Sequence, residues 1–198
     1  IGLLVFVEDP TPVPRRGERS LWSCLGGQSF IGRHRNDPRY TGQKPVSTWR
    51  PKDREKGYSY RHDAVKFCRQ CFIPETAASE LQDGEILVWL DGDVITHSPV
   101  PTGFVPNLVG DADICYLGRL NFHTELGFWT VRLSSRTRKF LADFAEIWRS
   151  DMVFKLPEWH SAFVFDYLRA KSGLRVKNLT PTGRGTVWAQ SPLARYSD

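Results

Sequence analysis

The stretch Glu85–Pro101, EILVWLDGDVITHSPVP, constrains this chain more than any other. Ile86, Leu87, Val88, Trp89 and Leu90 are apolar in a row, without in-out alternation. That pattern predicts a strand covered on both faces, as in the middle of a parallel sheet. The run stops at Asp91-Gly92-Asp93. In open α/β sheets, ligands gather beyond the carboxyl ends of strands. Two carboxylates one residue apart at such an end offer hard oxygen ligands for Mg²⁺ or Mn²⁺. Gly92 lets a ligand come close to the backbone. The competing reading is a plain tight turn, because Asp and Gly are common turn formers. The second apolar pair, Val94-Ile95, speaks against a simple hairpin.

The flanking chain reads as alternating helices and strands. Ile1–Val7 (IGLLVFV) is a second near-continuous apolar run and predicts another parallel strand. The Pro-, Gly- and Arg-rich stretch after it reads as a long surface excursion, with a short helix over 28–34. The spacing of Ala64, Phe67, Cys68, Cys71 and Phe72 predicts a helix over 58–72, and a further short helix over 75–81 follows Pro74. Asp63 and Lys66 lie three apart on another face of that helix. They form either a surface ion pair or a ligand border, with Lys66 facing a diphosphate and Asp63 a sugar hydroxyl. Strands are expected at 113–117, 128–133 and 174–178, and amphipathic helices at 137–150 and 161–170. The polar loop Asn121–Gly127, with His123 and Glu125, lies between two strands and reads as site-lining. Asp166 lies off the apolar stripe of its helix, where it faces a cleft or solvent.

Composition narrows the function classes. A chain of 198 residues suits one domain with a sizeable core. The aromatics, 7 Trp, 6 Tyr and 12 Phe, suit stacking on sugars or bases as well as a filled core. A net charge of +5 favours anionic partners such as nucleotides, phosphates or an anionic membrane surface. The basic residues are scattered, with no stripe of the kind that tracks nucleic acid, so a nucleic-acid partner is not expected. Cys68 and Cys71 form a CxxC, yet their helical core spacing, like the apolar surroundings of Cys115, predicts small buried hydrophobes. Free thiols suit a reducing, cytoplasmic setting.

Taken together, YRHDAVKFCRQCF, the buried strand with DGDV, ELGFW and LPEWHSAFVFD, in this order, resemble bacterial and large-virus glycosyltransferases of the nucleotide-sugar, type-A fold. The resemblance covers roughly residues 58–198. It implies a single α/β, Rossmann-like domain over 1–198, with a central mixed, mostly parallel sheet flanked by helices. It implies Asp91 and Asp93 as ligands of Mn²⁺ or Mg²⁺ on a nucleoside diphosphate-sugar, a UDP-sugar in the first instance. Asp63 and Lys66 would lie along that donor. Glu125, Trp159, His160 and Asp166 would line the sugar and acceptor pocket as its catalytic set, with Asp166 and Glu125 as candidate bases and His160 as a binding partner or, in second place, a base. The acceptor class is a glycan or glycolipid, which allows peripheral contact with the inner membrane surface. Family members begin with a nucleobase-binding strand, and many carry a late metal-ligand His; here His160 is the last His, so the chain reads as a possible fragment of a longer protein. Two other classes stay open on the residues alone: a metal-dependent nucleotidyltransferase or phosphohydrolase, and a non-catalytic glycan-binding module.

Overall fold

The computed structural model describes residues 24–197 and the strand backbones of 5–7 and 18–20. Residues 1–4 of the first expected strand lie outside the described residues. The elements run β1 (Val5–Val7), β2 (Glu18–Ser20), α1 (Leu25–His34), α2 (Pro51–Lys56), α3 (Ala64–Phe67), α4 (Arg69–Ala78), β3 (Ile86–Leu90), α5 (Phe104–Val109), β4 (Ile114–Leu117), β5 (Glu125–Arg132), α6 (Ser135–Arg149), α7 (Ser161–Arg169) and β6 (Val176–Asn178). The chain divides into two compact units, Ile1–Glu80 with Leu141–Val164, and Leu81–Phe140 with Phe165–Asp198.

The first unit is helical apart from the parallel pair β1–β2. Its core is aromatic. Phe30 of α1 meets Trp148 edge-on at 5.5 Å and stacks on Phe154 at 5.9 Å, and Phe154 meets Trp159 edge-on at 5.1 Å. The helix expected over 58–72 is broken into a 3-10 turn (Tyr60–His62), α3 and α4. The break falls at Asp63, whose φ of −89° and ψ of 72° are not helical, because its carboxylate caps α3 by accepting the Lys66 amide. Pro74, expected to end a helix, lies inside α4. A proline removes one N–H and crowds the preceding turn. Burial of Cys71, Phe72, Ala77 and Ala78 holds the helix across it. Cys24, Cys68, Cys71 and Cys115 are all buried free thiols, as expected for Cys68 and Cys71 from their helical spacing and for Cys115 from its apolar surroundings.

The second unit holds an open four-stranded mixed sheet in the order β3-β5-β4-β6. Two corrections to the sequence reading follow. The sheet is not mostly parallel: β3–β5 and β5–β4 are antiparallel, and only β4–β6 is parallel. The apolar strand β3 is not central but an edge, with Val88 and Leu90 exposed. The strand covered on both faces is β5, where six consecutive residues, Leu126 to Val131, are buried. The expected coverage of both faces fails with it, since none of Ile86 to Leu90 is buried: coverage, like edge or centre, depends on partners distant in sequence. Phe128 and Leu117 pack with Leu108, Val187 and Leu193, while Trp129 and Phe140 meet Phe165 from α7.

The element bounds expected for α6 hold to within two residues. Its start is fixed by a reciprocal cap. Ser134 N–H donates to Thr137 Oγ1 at 2.8 Å, and Thr137 N–H to Ser134 Oγ at 3.3 Å. No helix among the described residues is long and apolar enough to cross a membrane.

Candidate functional site

The β3–β5 ladder pairs Leu90 with Phe128 and continues one step further, with the Asp91 N–H donating to the Gly127 carbonyl at 3.0 Å. Antiparallel pairing therefore sets Asp91 beside Gly127. Residues two apart on a strand share a face, and two local contacts follow. The Trp89 indole N–H donates to Asp91 Oδ1 at 2.7 Å, and the Gly127 N–H donates to Glu125 Oε1 at 3.2 Å. Glu125, expected in a loop, is the first residue of β5, at the bulge where β4 and β5 shift register. Arg119 binds Glu125 Oε2 at 3.0 Å and donates to the His123 carbonyl at 2.8 Å, fastening the loop that leads into β5.

Gly127 marks where these groups converge. A Cβ at that position would lie 3.5 Å from Glu125 Oε1, 3.6 Å from the six-membered ring of Trp188 and 3.8 Å from Asp91 Oδ2. Trp188 is held from behind. Its indole N–H donates to the Ser197 carbonyl at 2.8 Å, its ring stands edge-on to Phe128, and it packs on the Leu117–Phe128–Leu193 cluster. The segment around Ser197 is in turn laced to the chain just after Asp93, by a Thr96–Ser197 bridge and a His97 N–H to Tyr196 carbonyl bond of 2.8 Å. Asp91 is half-buried, while Asp93 is exposed on the turn closed by the Val94 N–H to Asp91 carbonyl bond. The two acids thus stand both at a strand end and on a turn.

Asp166 of α7 touches the same loop. Its Oδ2 accepts the Thr124 amide at 2.9 Å and its Oδ1 accepts Thr124 Oγ1 at 2.5 Å and Arg169 at 2.9 Å; His123 Nδ1 stands 3.5 Å away. Burial pushes this carboxyl up, but the bonds from His123, Thr124 and Arg169 prevail and hold it at about 2. A carboxylate so occupied fixes Thr124, the residue just before Glu125.

The remaining predicted residues belong to the first unit, each with partners there. Asp63 caps α3 and accepts the Tyr58 hydroxyl at 2.9 Å; burial and that bond push Tyr58 up to about 12. Lys66 is exposed, its ammonium 5.5 Å from the Phe67 ring centre. His160 is buried among Tyr60, Phe67 and Phe163, with Nε2 2.8 Å from Glu158 Oε2 and Nδ1 facing the Phe163 N–H at 3.4 Å. Glu158 also binds Arg50 at 3.0 Å and Arg61 at 3.3 Å. Trp159 is a core residue, edge-on to both Phe154 and His62.

The structure therefore brings Asp91 and Glu125 together and ties Asp166 to the loop before Glu125. Three participants escaped the sequence reading: Trp89, Arg119 and Trp188. Trp89 was legible as the i−2 neighbour of Asp91 on one strand face. Arg119 lies in a loop and Trp188 opens a short 3-10 turn, Trp188–Gln190, neither with a periodicity to betray it. Comparison with protein-family models, with curated proteins and with solved structures gave no match.

Proposed function

We propose that this chain is a metal-dependent glycosyltransferase of the DxD, type-A class, moving a sugar from a nucleoside diphosphate-sugar, foremost a UDP-sugar, to a glycan or glycolipid acceptor. The observation that carries this reading is the meeting of Asp91 and Glu125 beside a bare Gly127 at the carboxyl end of β3.

Asp91 and Asp93 would hold Mn²⁺ or Mg²⁺. The residues suit such an ion: both are carboxylates, Asp91 is oriented by the Trp89 indole, and Asp93 stands exposed on the turn beside it. When bound, the ion supplies Lewis-acid neutralisation of a departing diphosphate. Glu125 takes the role of base toward the acceptor hydroxyl, its carboxylate aimed by Arg119 and by the Gly127 amide. Asp166 is poorly suited to act as a base, because its carboxyl is held at about 2 and its oxygens are taken by Thr124, His123 and Arg169. Its part is to set Thr124 and so the entry into β5. Asp63, Lys66 and His160 enter the proposal through the family resemblance.

The test is UDP release from a panel of UDP-sugars with and without Mn²⁺. Asp91→Ala and Asp93→Ala should each lower turnover by about a hundredfold or more, the scale of several kcal/mol that a metal supplies. Circular dichroism of both variants should match the parent. Undiminished turnover in both variants overturns the reading. Pyrophosphate release from nucleoside triphosphates, in place of UDP release, would assign a nucleotidyltransferase instead.

A further inference from the structure

We propose that Thr48 is an activated hydroxyl nucleophile, with His62 as its base, and that it takes up acyl groups from activated esters. The residues concerned all belong to the first unit, and none serves the nucleotide-sugar reading.

Four side chains lie in line. Thr48 Oγ1 is 2.8 Å from His62 Nε2, His62 Nδ1 is 2.9 Å from Ser59 Oγ, and Ser59 Oγ donates to Asp53 Oδ2 at 3.0 Å. Ser59, His62 and Asp53 are buried, whereas Thr48 is exposed, so a reagent meets the line at its threonine end. Hydrogen accounting then gives the line a direction. A carboxylate only accepts, and a hydroxyl has one proton to give. Ser59 gives its proton to Asp53, so its oxygen accepts the His62 Nδ1–H. The lone pair of the neutral ring is left on Nε2, facing the Thr48 hydroxyl. A nucleophile within reach of a base, and a base oriented by a third group, is the arrangement that activates a hydroxyl.

The surroundings hold this geometry. Arg54 donates to the Val46 and Ser47 carbonyls at 3.1 and 3.5 Å, and the Trp49 N–H donates to the Val46 carbonyl at 3.1 Å, which fastens the turn carrying Thr48. Buried Trp49 packs beside the imidazole, 6.2 Å between ring centres. Burial pushes His62 below the ordinary imidazole value of 6.5, with His160 adding to it, against the Pro157 carbonyl and the charges of Glu158 and Asp53. Arg61 stands 3.8 Å from Asp53. The ring is thus neutral near pH 7 and free to take a proton. Once Nε2 carries that proton, the Pro157 carbonyl, 3.2 Å away, accepts a hydrogen bond from it, and Asp53 balances the charge through Ser59.

The step is a simple transfer. Thr48 Oγ1 attacks the acyl carbon as its proton passes to His62 Nε2. The threonyl ester bond forms, the bond to the phenolate or thiolate leaving group breaks, and that group takes the proton from His62.

The experiment exposes the full chain to p-nitrophenyl acetate and follows phenolate release together with peptide mapping of acetyl esters, told from amides by their cleavage with hydroxylamine. Thr48 should be acetylated about a hundredfold faster than other Ser and Thr residues, the scale of general-base assistance. The exposed Ser98, 3.2 Å from His97 Nδ1, is the internal competitor. Thr48→Val should abolish the labelled peptide and the matching phenolate release, and Thr48→Ser should retain both. Phenolate release beyond one equivalent that Thr48→Val removes supports the proposal equally, since the same base can then pass the acyl group to water. His62→Gln should lower the rate as Thr48→Val does. If it fails to fold, the pH profile of the parent replaces it: the rate at Thr48 should be level above pH 6.5 and fall below it as His62 is protonated. Esters spread evenly over the hydroxyls, unaltered phenolate release in Thr48→Val, or a rate that climbs with hydroxide and never levels overturns the proposal.

Discussion

Asp166 shows how one residue can shape a candidate site through its neighbours. Its carboxyl, held at about 2 by Thr124, His123 and Arg169 against the opposing effect of burial, lies below the unfolded value near 4. Its stabilisation is therefore complete above pH 4 and is lost as the pH falls from 4 toward 2. Asp166→Asn should destabilise the protein by about 2 kcal/mol at pH 7, and the gap to the parent should close across that acid window. Urea unfolding at pH 7, 4 and 3 measures both. A gap that stays constant with pH would mean that the ionised form has no special partners. The sequence marked Asp166 as off its apolar stripe, facing a cleft or solvent, but two of the residues that claim it, Thr124 and His123, lie more than forty positions away. No local pattern announces such partners. Asp63 makes the opposite lesson. Its reading as one of an ion pair with Lys66 looked three residues ahead to the right residue but to the wrong group, since the bond goes to the Lys66 amide and ends a turn.

Among elements, the strand ends carry the most information. β4 finishes at Gly118, whose N–H donates to Asn178 Oδ1 at 2.9 Å and whose carbonyl accepts Thr180 Oγ1 at 2.8 Å. A methyl group at position 118 would overlap the Asn178 side chain. Gly118→Ala should thus cost about 1–3 kcal/mol through strain rather than lost burial, read as a lower midpoint of thermal unfolding. An unchanged midpoint would show that Asn178 can step aside freely. Helix and strand spans such as α6, β3 and β4 were legible because their apolar periods are local. Strand order was not, because β5 carries Glu125 and Arg132 at its ends and Thr130 within, and looks less buried than β3 while being more so. Only pairing with β3 on one side and β4 on the other covers it.

For the molecule as a whole, the division of the chain into two compact units gives the functional reading a spatial signature. Asp91, Asp93, Glu125, Asp166 and Trp188 all belong to the second unit. Ligands stabilise what they touch by mass action. Mn²⁺ with UDP should therefore slow amide exchange foremost at the end of β3 and the start of β5, followed by hydrogen–deuterium exchange mass spectrometry. Protection confined to the first unit would relocate the nucleotide and remove β3 from the site. The net charge of +5, legible from the start, favours anionic partners in general and says nothing of where one would dock.

The marginal place of β3 has one more consequence. The strand that presents the acidic pair hangs on a single ladder, and Val88 and Leu90 look outward into solvent. Side chains there can be exchanged without disturbing the packing around β5. On the reading proposed above, affinity for a divalent ion would accordingly be tunable from this outer face of β3.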